Sequence, residues 1–236
     1  MTGQSTENPV HNVTFPSGQG EAHGYLALPG SGSGPGIVVI QEWWGLTTHV
    51  ADVADRLAAE GFVALAPDLF GGRTTHDGEE AARLMQSLPE EQAARDLAGA
   101  VDFLLGHEAV TSSRSIGAVG FCMGGGFVLT LAAQQGERVG AAVSFYGVLG
   151  GEPPDFSALT ASVQGHFGLR DESTTPDAAR ELSVKIGTES GRKPEFHYYD
   201  AGHAFFNDEN LLGTYDRTCA ALAWDRAVAF LRAHTP

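Results

Sequence analysis

The chain has 236 residues, of which 14 are Lys or Arg and 29 are Asp or Glu, for a formal net charge of −15. That length suits one large α/β domain, or at most two small ones. Apolar residues at 42% beside 31 glycines exclude disorder for the bulk of the chain. Only two of the basic residues are lysines, Lys185 and Lys193, and so acidic a surface repels phosphate backbones and anionic lipid, so neither nucleic acid nor a membrane is expected as a partner.

Residues 1–9 read as a loose tail without the basic and apolar segments of a signal peptide. No apolar run approaches the length of a bilayer span. Two cysteines, Cys122 and Cys219, cannot build a disulfide framework and suit a reducing compartment, so a cytoplasmic protein is expected, as a monomer or weak homodimer.

Residues 10–15 and 22–28, joined by a turn around Ser17-Gly18-Gln19-Gly20, predict an N-terminal β-hairpin. A glycine-rich connector, residues 30–36, leads into a strand-helix alternation. Ile37-Val38-Val39-Ile40 is a β-branched run suited to a strand covered on both faces. Val50, Val53, Ala54 and Leu57 share one helical face, capped by Thr47 or Thr48 and stopped at Gly61. A buried strand over residues 62–66 is halted by Pro67. A helix through Ala93, Leu97, Val101 and Leu104 precedes a strand at residues 116–119, and a further helix runs from Met123 to Gln135, closed by Gly136. Strands follow at residues 141–145 and 161–167. Thr175 then caps a helix with Pro176 at its first position and Ala179, Leu182 and Ile186 inward. Residues 195–199 form the last strand, and Ala221, Trp224, Val228 and Leu231 mark a C-terminal helix. Strands alternating with helices predict a single, mostly parallel sheet with helices on both faces, residues 10–236 forming one domain. Reacting groups then belong on loops at the carboxyl ends of the strands.

The sharpest feature is Gly120-Phe121-Cys122-Met123-Gly124-Gly125, where a predicted strand turns into a helix. It has the pattern of a nucleophile elbow with Cys in the Ser position, glycines clearing space around a strained residue at a helix N-terminus that favours a thiolate. The bland alternative, a small buried Cys beside a glycine-rich helix start, loses force in this strand-to-helix context. Cys219 has no such setting. His203, in Asp200-Ala201-Gly202-His203, directly follows the last strand and is the candidate base. Asp171, after the strand over residues 161–167, is preferred over Asp200 as the carboxylate that orients it. Glu42, at a strand end before Trp43 and Trp44, is expected in a low-dielectric mouth where its pKa rises. The amides of Trp43 and Met123 are the candidate oxyanion donors. For Trp44, core packing competes evenly with a binding role. No His/Cys cluster has ligand spacing, and no dinucleotide or Walker-type loop follows a strand, so neither a metal nor a cofactor is expected.

Taken with Gln41-Glu42-Trp43-Trp44-Gly45, Ala66-Pro67-Asp68-Leu69-Phe70, Phe145-Tyr146-Gly147 and Ala201-Gly202-His203-Ala204-Phe205, the elbow resembles the dienelactone hydrolase family over nearly the whole chain, within the α/β-hydrolase fold. The resemblance implies hydrolysis of esters or lactones by a triad of Cys122, His203 and Asp171, with Glu42 pairing with the resting thiol and taking its proton when substrate binds. It also makes Trp44, Phe70, Arg73, Tyr146, Phe205 and Asn207 candidate substrate contacts. Two arginines that bind a substrate carboxylate in this family are replaced here, one by Asn207 and the other, on a looser match, by Gly78 ahead of a helix containing Ala82-Arg83-Leu84. Each lost charge-assisted hydrogen bond costs roughly 1.5–3 kcal/mol of recognition. A neutral ester or lactone is therefore at least as good a candidate substrate as a carboxylated one. A thioesterase or acyltransferase with the same triad, and a non-catalytic ligand-binding protein on the same fold, remain the competing readings.

Overall fold

Among the described residues, eight strands form one sheet in the order β1-β2-β4-β3-β5-β6-β7-β8. In the computed structural model, which describes residues 10–112, 114–147 and 153–235, the elements run β1 (Val13–Ser17), β2 (Gly20–Ala27), β3 (Gly36–Ile40), α1 (Thr48–Ala59), β4 (Val63–Pro67), α2 (Gly78–Ser87), α3 (Glu90–Gly106), β5 (Ile116–Phe121), α4 (Met123–Gln135), β6 (Val139–Phe145), β7 (Ser162–Gly168), α5 (Pro176–Ser190), β8 (Glu195–Tyr199) and α6 (Arg217–His234). The tail expected over residues 1–9 lies outside the described residues. The hairpin β1–β2 is antiparallel and joins the sheet antiparallel to β4, and the other pairings are all parallel. This is the α/β-hydrolase-like architecture expected from the alternation of strands and helices.

Two apolar layers sandwich the sheet. Val38 and Ile40 point to the layer that holds α3, α4 and α5, with Leu97, Val128, Leu182 and Ile186. Ile37 and Val39 point to the other, where α1 and α6 supply Val53, Leu57, Ala223 and Leu231. All four β3 side chains are fully buried, which explains the unbroken β-branched run, each side chain contributing roughly 1.5–3 kcal/mol.

Departures from the sequence expectations are local. Pro67 is the last residue of β4, not its stop, and stands opposite Gly24. Thr47 occupies the N-cap position of α1 without a side-chain capping bond. Helix α2, which only the family resemblance placed, is capped by the Asp77 carboxylate accepting from Glu80 N at 2.8 Å. On α6 the inward face is Ala220, Ala223, Ala227, Val228 and Leu231, so Ala221 is exposed and Trp224 only half-buried. The small alanines let α6 lie close to the sheet. Trp224 takes the flank, stacked on Phe206 (5.9 Å) with Arg56 over its ring (4.1 Å).

Strand β3 lies between β4 and β5. The chain leaves β3 toward β4, then returns to β5 on the other side, so the strand order reverses at the carboxyl ends of β3 and β5, where ligands bind in open α/β sheets. Glu42 follows β3, Cys122 follows β5, Tyr146 follows β6, Asp171 follows β7 and His203 follows β8. Five parallel strands, adjacent in the sheet, thus deliver one side chain each to one rim.

Candidate active site

Cys122 joins β5 to α4 with φ 53° and ψ −116°, a conformation that costs a non-glycine residue of order 1–3 kcal/mol unless its surroundings impose it. Close approach on both sides does so. A Cβ on Gly120 would meet the Gly124 carbonyl at 2.0 Å, and one on Gly124 would meet the carbonyls of Ile40 and Gln41 at 2.3 and 2.5 Å. The amide of Cys122 is tied across to the Phe145 carbonyl at 3.0 Å. The thiol is left half-exposed at the N-terminus of α4, where helix dipole and unpaired amides favour negative charge.

His203 Nε2 lies 3.2 Å from Cys122 Sγ, and its Nδ1 lies 2.8 Å from Asp171 Oδ2. The second Asp171 oxygen accepts from the amides of Ser173 (2.8 Å) and Thr174 (2.9 Å), so one oxygen is fixed by the backbone while the other faces the ring. The Thr174 hydroxyl donates on to the Gly147 carbonyl at 3.2 Å, tying this loop to the end of β6. The His203 carbonyl accepts from the Thr214 hydroxyl, and Tyr146 stands edge-on to the imidazole at 5.1 Å. Burial disfavours the charged ring, but the hydrogen bonds and charges of Asp171 and Cys122 outweigh it and hold His203 at about 10.

Glu42 is buried at the end of β3. Tyr146 Oη donates to its Oε1 at 3.0 Å and Asn207 Nδ2 to its Oε2 at 2.6 Å. Burial raises its pKa, opposed by the charge of His49, by these two hydrogen bonds and by the charge of His203. Burial, then the charge and hydrogen bond of Glu42, push the Tyr146 hydroxyl well above the usual tyrosine range, so it stays protonated and donates. The pairing of Glu42 with the resting thiol, implied by the resemblance, is therefore not what the structure holds. The carboxylate accepts from Tyr146 and Asn207, and the sulfur sits against His203.

The profile of the dienelactone hydrolase family matches residues 22–235. The chain belongs to the dienelactone hydrolase family. It is on that ground a carboxylic-ester hydrolase. Protein usf of Aquifex pyrophilus is 31% identical over 226 residues, covering 93% of this chain and 96% of that protein. Among solved structures, a dienelactone hydrolase-like promiscuous phosphotriesterase from metagenomic libraries superposes with a TM-score of 0.83 at 26% identity, over 95% of this chain and 97% of its own. Esterase 2 of Thermogutta terrifontis, at 18% identity and a TM-score of 0.69 over 98% of each chain, shares the fold.

Within this dienelactone hydrolase fold the expected substrate contacts separate. Tyr146 and Asn207 are buried and bonded to Glu42. Phe205 has no exposed surface and packs on Tyr146 (5.5 Å) and Tyr199 (5.0 Å), and Phe70 belongs to the apolar layer with Leu69. Both are core residues. Trp44 is 4% exposed and meets Trp43 edge-on at 4.9 Å, which decides its even balance for packing. Arg73 is exposed, its Nε donating to the Phe70 carbonyl at 3.4 Å. Trp43 remains half-buried beside Glu42. Asp68 acts in the loop itself, accepting from the amides of Phe70 (2.8 Å) and Gly72 (2.5 Å) and pairing with His11 (2.8 Å).

Sequence reasoning missed His49, on the first turn of α1. Its Nδ1 lies 2.9 Å from Asp208 Oδ1, and its charge is the largest of the interactions that oppose the effect of burial on Glu42. The only sequence signal was its place seven residues after Glu42, next to a predicted helix cap. Among the described residues no group of three or more His, Cys, Asp or Glu could hold a metal ion, and no helix is long and apolar enough to cross a membrane.

Proposed function

We propose that this chain hydrolyses uncharged carboxylic esters or lactones through an acyl-enzyme on Cys122. One observation carries the reading: a continuous run of contacts from Cys122 Sγ to His203 (3.2 Å) and from His203 to Asp171 (2.8 Å), mounted on a strained strand-to-helix elbow. His203, raised to about 10, keeps its proton at neutral pH and stands 3.2 Å from the sulfur. The thiolate attacks the carbonyl carbon, and the amides of Trp43 and Met123 receive the oxyanion. Collapse expels the alkoxide, which takes the proton from His203 Nε2.

Acylation then changes the base. The hydrogen bond and charge of Cys122 help to raise His203, and both disappear once the sulfur is a thioester. The neutral imidazole that results removes a proton from water, which attacks the thioester carbonyl and releases the acid and the thiolate. Glu42, whose charge attracts His203, supports the imidazolium before acylation. Asn207 is a neutral group bonded to Glu42, so it offers no charge to a substrate carboxylate, which favours uncharged substrates.

Cys122→Ala is expected to lower turnover of a small activated ester by roughly 10³-fold or more with an unchanged circular-dichroism spectrum. Rapid quenching of the wild type should leave an acyl mass on the peptide carrying Cys122. Undiminished turnover in the variant would remove Cys122 from the chemistry.

A further inference from the structure

We propose that Gln41 is a positioning residue of the oxyanion site: it braces the segment that carries the Trp43 amide against the elbow that carries the Met123 amide. The inference rests on the reading of those two amides as the oxyanion donors, and Gln41 acts only through them.

Gln41 is the first residue after β3 and has no exposed surface. Its backbone meets the elbow. A Cβ on Gly124 would reach the Ile40 and Gln41 carbonyls at 2.3 and 2.5 Å, so the first turn of α4 lies directly on the end of β3. Its side chain reaches the opposite neighbour, where Oε1 accepts from the amide of Leu69, in the loop after β4, at 3.1 Å. Since β3 lies between β4 and β5, this one residue joins the rim on both sides of its strand.

Beyond Trp43 the same two loops meet again. Thr75 N donates to the Trp44 carbonyl at 3.0 Å, and Gly45, at φ 93°, lies so near the Arg73 carbonyl that a Cβ would reach it at 2.4 Å. Trp43 therefore sits between two fastenings to the loop after β4, one at Gln41 and one at Trp44 and Gly45. That loop is itself anchored. Asp68 N donates to the His23 carbonyl at 2.9 Å, and the Asp68 carboxylate accepts from the amides of Phe70 and Gly72 and pairs with His11. At the far end the Thr75 hydroxyl donates to Glu80 on α2 at 3.1 Å and accepts from Asp77 N at 3.0 Å. Oxyanion donors act when they are fixed before the charge develops, and a loop held to both the hairpin and α2 supplies that rigidity.

The test compares an oxygen ester with its thionoester, in which C=S replaces C=O. Sulfur accepts hydrogen bonds weakly, so the thionoester draws less on the two amides. Among the described residues Gln41 Nε2 has no hydrogen-bond partner, so Gln41→Met, of the same length, removes the Leu69 bond and no other of that side chain. In this variant the ratio of kcat/KM for the ester to that for the thionoester should fall about tenfold, less than the roughly 10²–10³ that losing a whole oxyanion donor costs. The loss should appear in kcat, with KM little changed. Alkylation of Cys122 by iodoacetamide, which builds no oxyanion, should keep the wild-type rate. Gly45→Ala, which forces the same two loops apart from the backbone side, should lower the ratio in the same way, and it decides where Gln41→Met yields no folded protein. A ratio equal to that of the wild type overturns the inference, as does a parallel loss of ester, thionoester and alkylation rates, the mark of a merely structural residue. Full hydrolysis by Cys122→Ala would instead refute the reading of the site.

Discussion

Among single residues, His203 carries the largest consequence for pH. Burial works against its charge, but Asp171 and Cys122 together lift it from 6.5 to about 10. Between those two values the native protein holds a proton that the unfolded chain has released, so stability falls with rising pH across the window. This stabilisation is complete below about pH 6.5 and is lost as pH climbs through about 10. Scanning calorimetry should therefore show the wild-type Tm falling more steeply from pH 7 to pH 10 than that of His203→Gln. Parallel curves would mean that the imidazole gains nothing from its two partners. Asn207 shows the limit of reading one residue at a time. The sequence exposes it as a missing arginine, whereas its positive act, donating to Glu42 at 2.6 Å, depends on a loop 165 positions away in the chain and has no local signature.

Elements were legible where their own pattern decided them. The β-branched run of β3, the Thr175-Pro176 start of α5 and the bounds of β8 and α4 follow from local chemistry. Helix α2 was not read from its own pattern, because only Ala81 and Leu84 of its ten residues are buried, too few for an apolar stripe. On α6 the expected Val228 and Leu231 face inward, but in the first half of the helix Ala220 and Ala223 are buried in place of Ala221 and Trp224, because small alanines give no apolar bulk to mark the inner face. Glycine substitutions separate tight from loose junctions. Gly124→Ala drives a Cβ to 2.3 Å from the Ile40 carbonyl, where α4 abuts the end of β3, and backbone cannot yield as a side chain can. The expected loss is about 3 kcal/mol of stability, together with activity, since the elbow must shift. Gly78→Ala, at the open start of α2 with nothing within 4 Å, should be neutral or stabilising by roughly 0.5–1 kcal/mol. Urea denaturation of the pair checks both, and equal effects would show that the elbow is not under steric control.

For the molecule as a whole, the site was legible because the fold class fixes where chemistry goes. Once the strands alternate with helices, only strand-end residues qualify, and Cys122, Asp171 and His203 stand at such ends in chain order. The arrangement around Glu42 was not legible, since it joins β3, β6, α1 and the loop after β8 through side chains whose meeting depends on packing. Net charge is a property at the same scale. A charge of −15 creates a field that repels anionic substrates at a distance, before any contact with the site. That repulsion reaches about 30 Å at 0.01 M salt and roughly 8 Å at 0.15 M, so it is a matter of encounter and not of chemistry. For two esters with the same leaving group, one neutral and one bearing a carboxylate, kcat/KM of the anionic ester should rise with salt while that of the neutral ester stays level. Their kcat values should be unaffected. If the anionic ester is disfavoured equally at low and high salt, the discrimination lies inside the site, where Asn207 offers no positive charge, and the surface field plays no part in it.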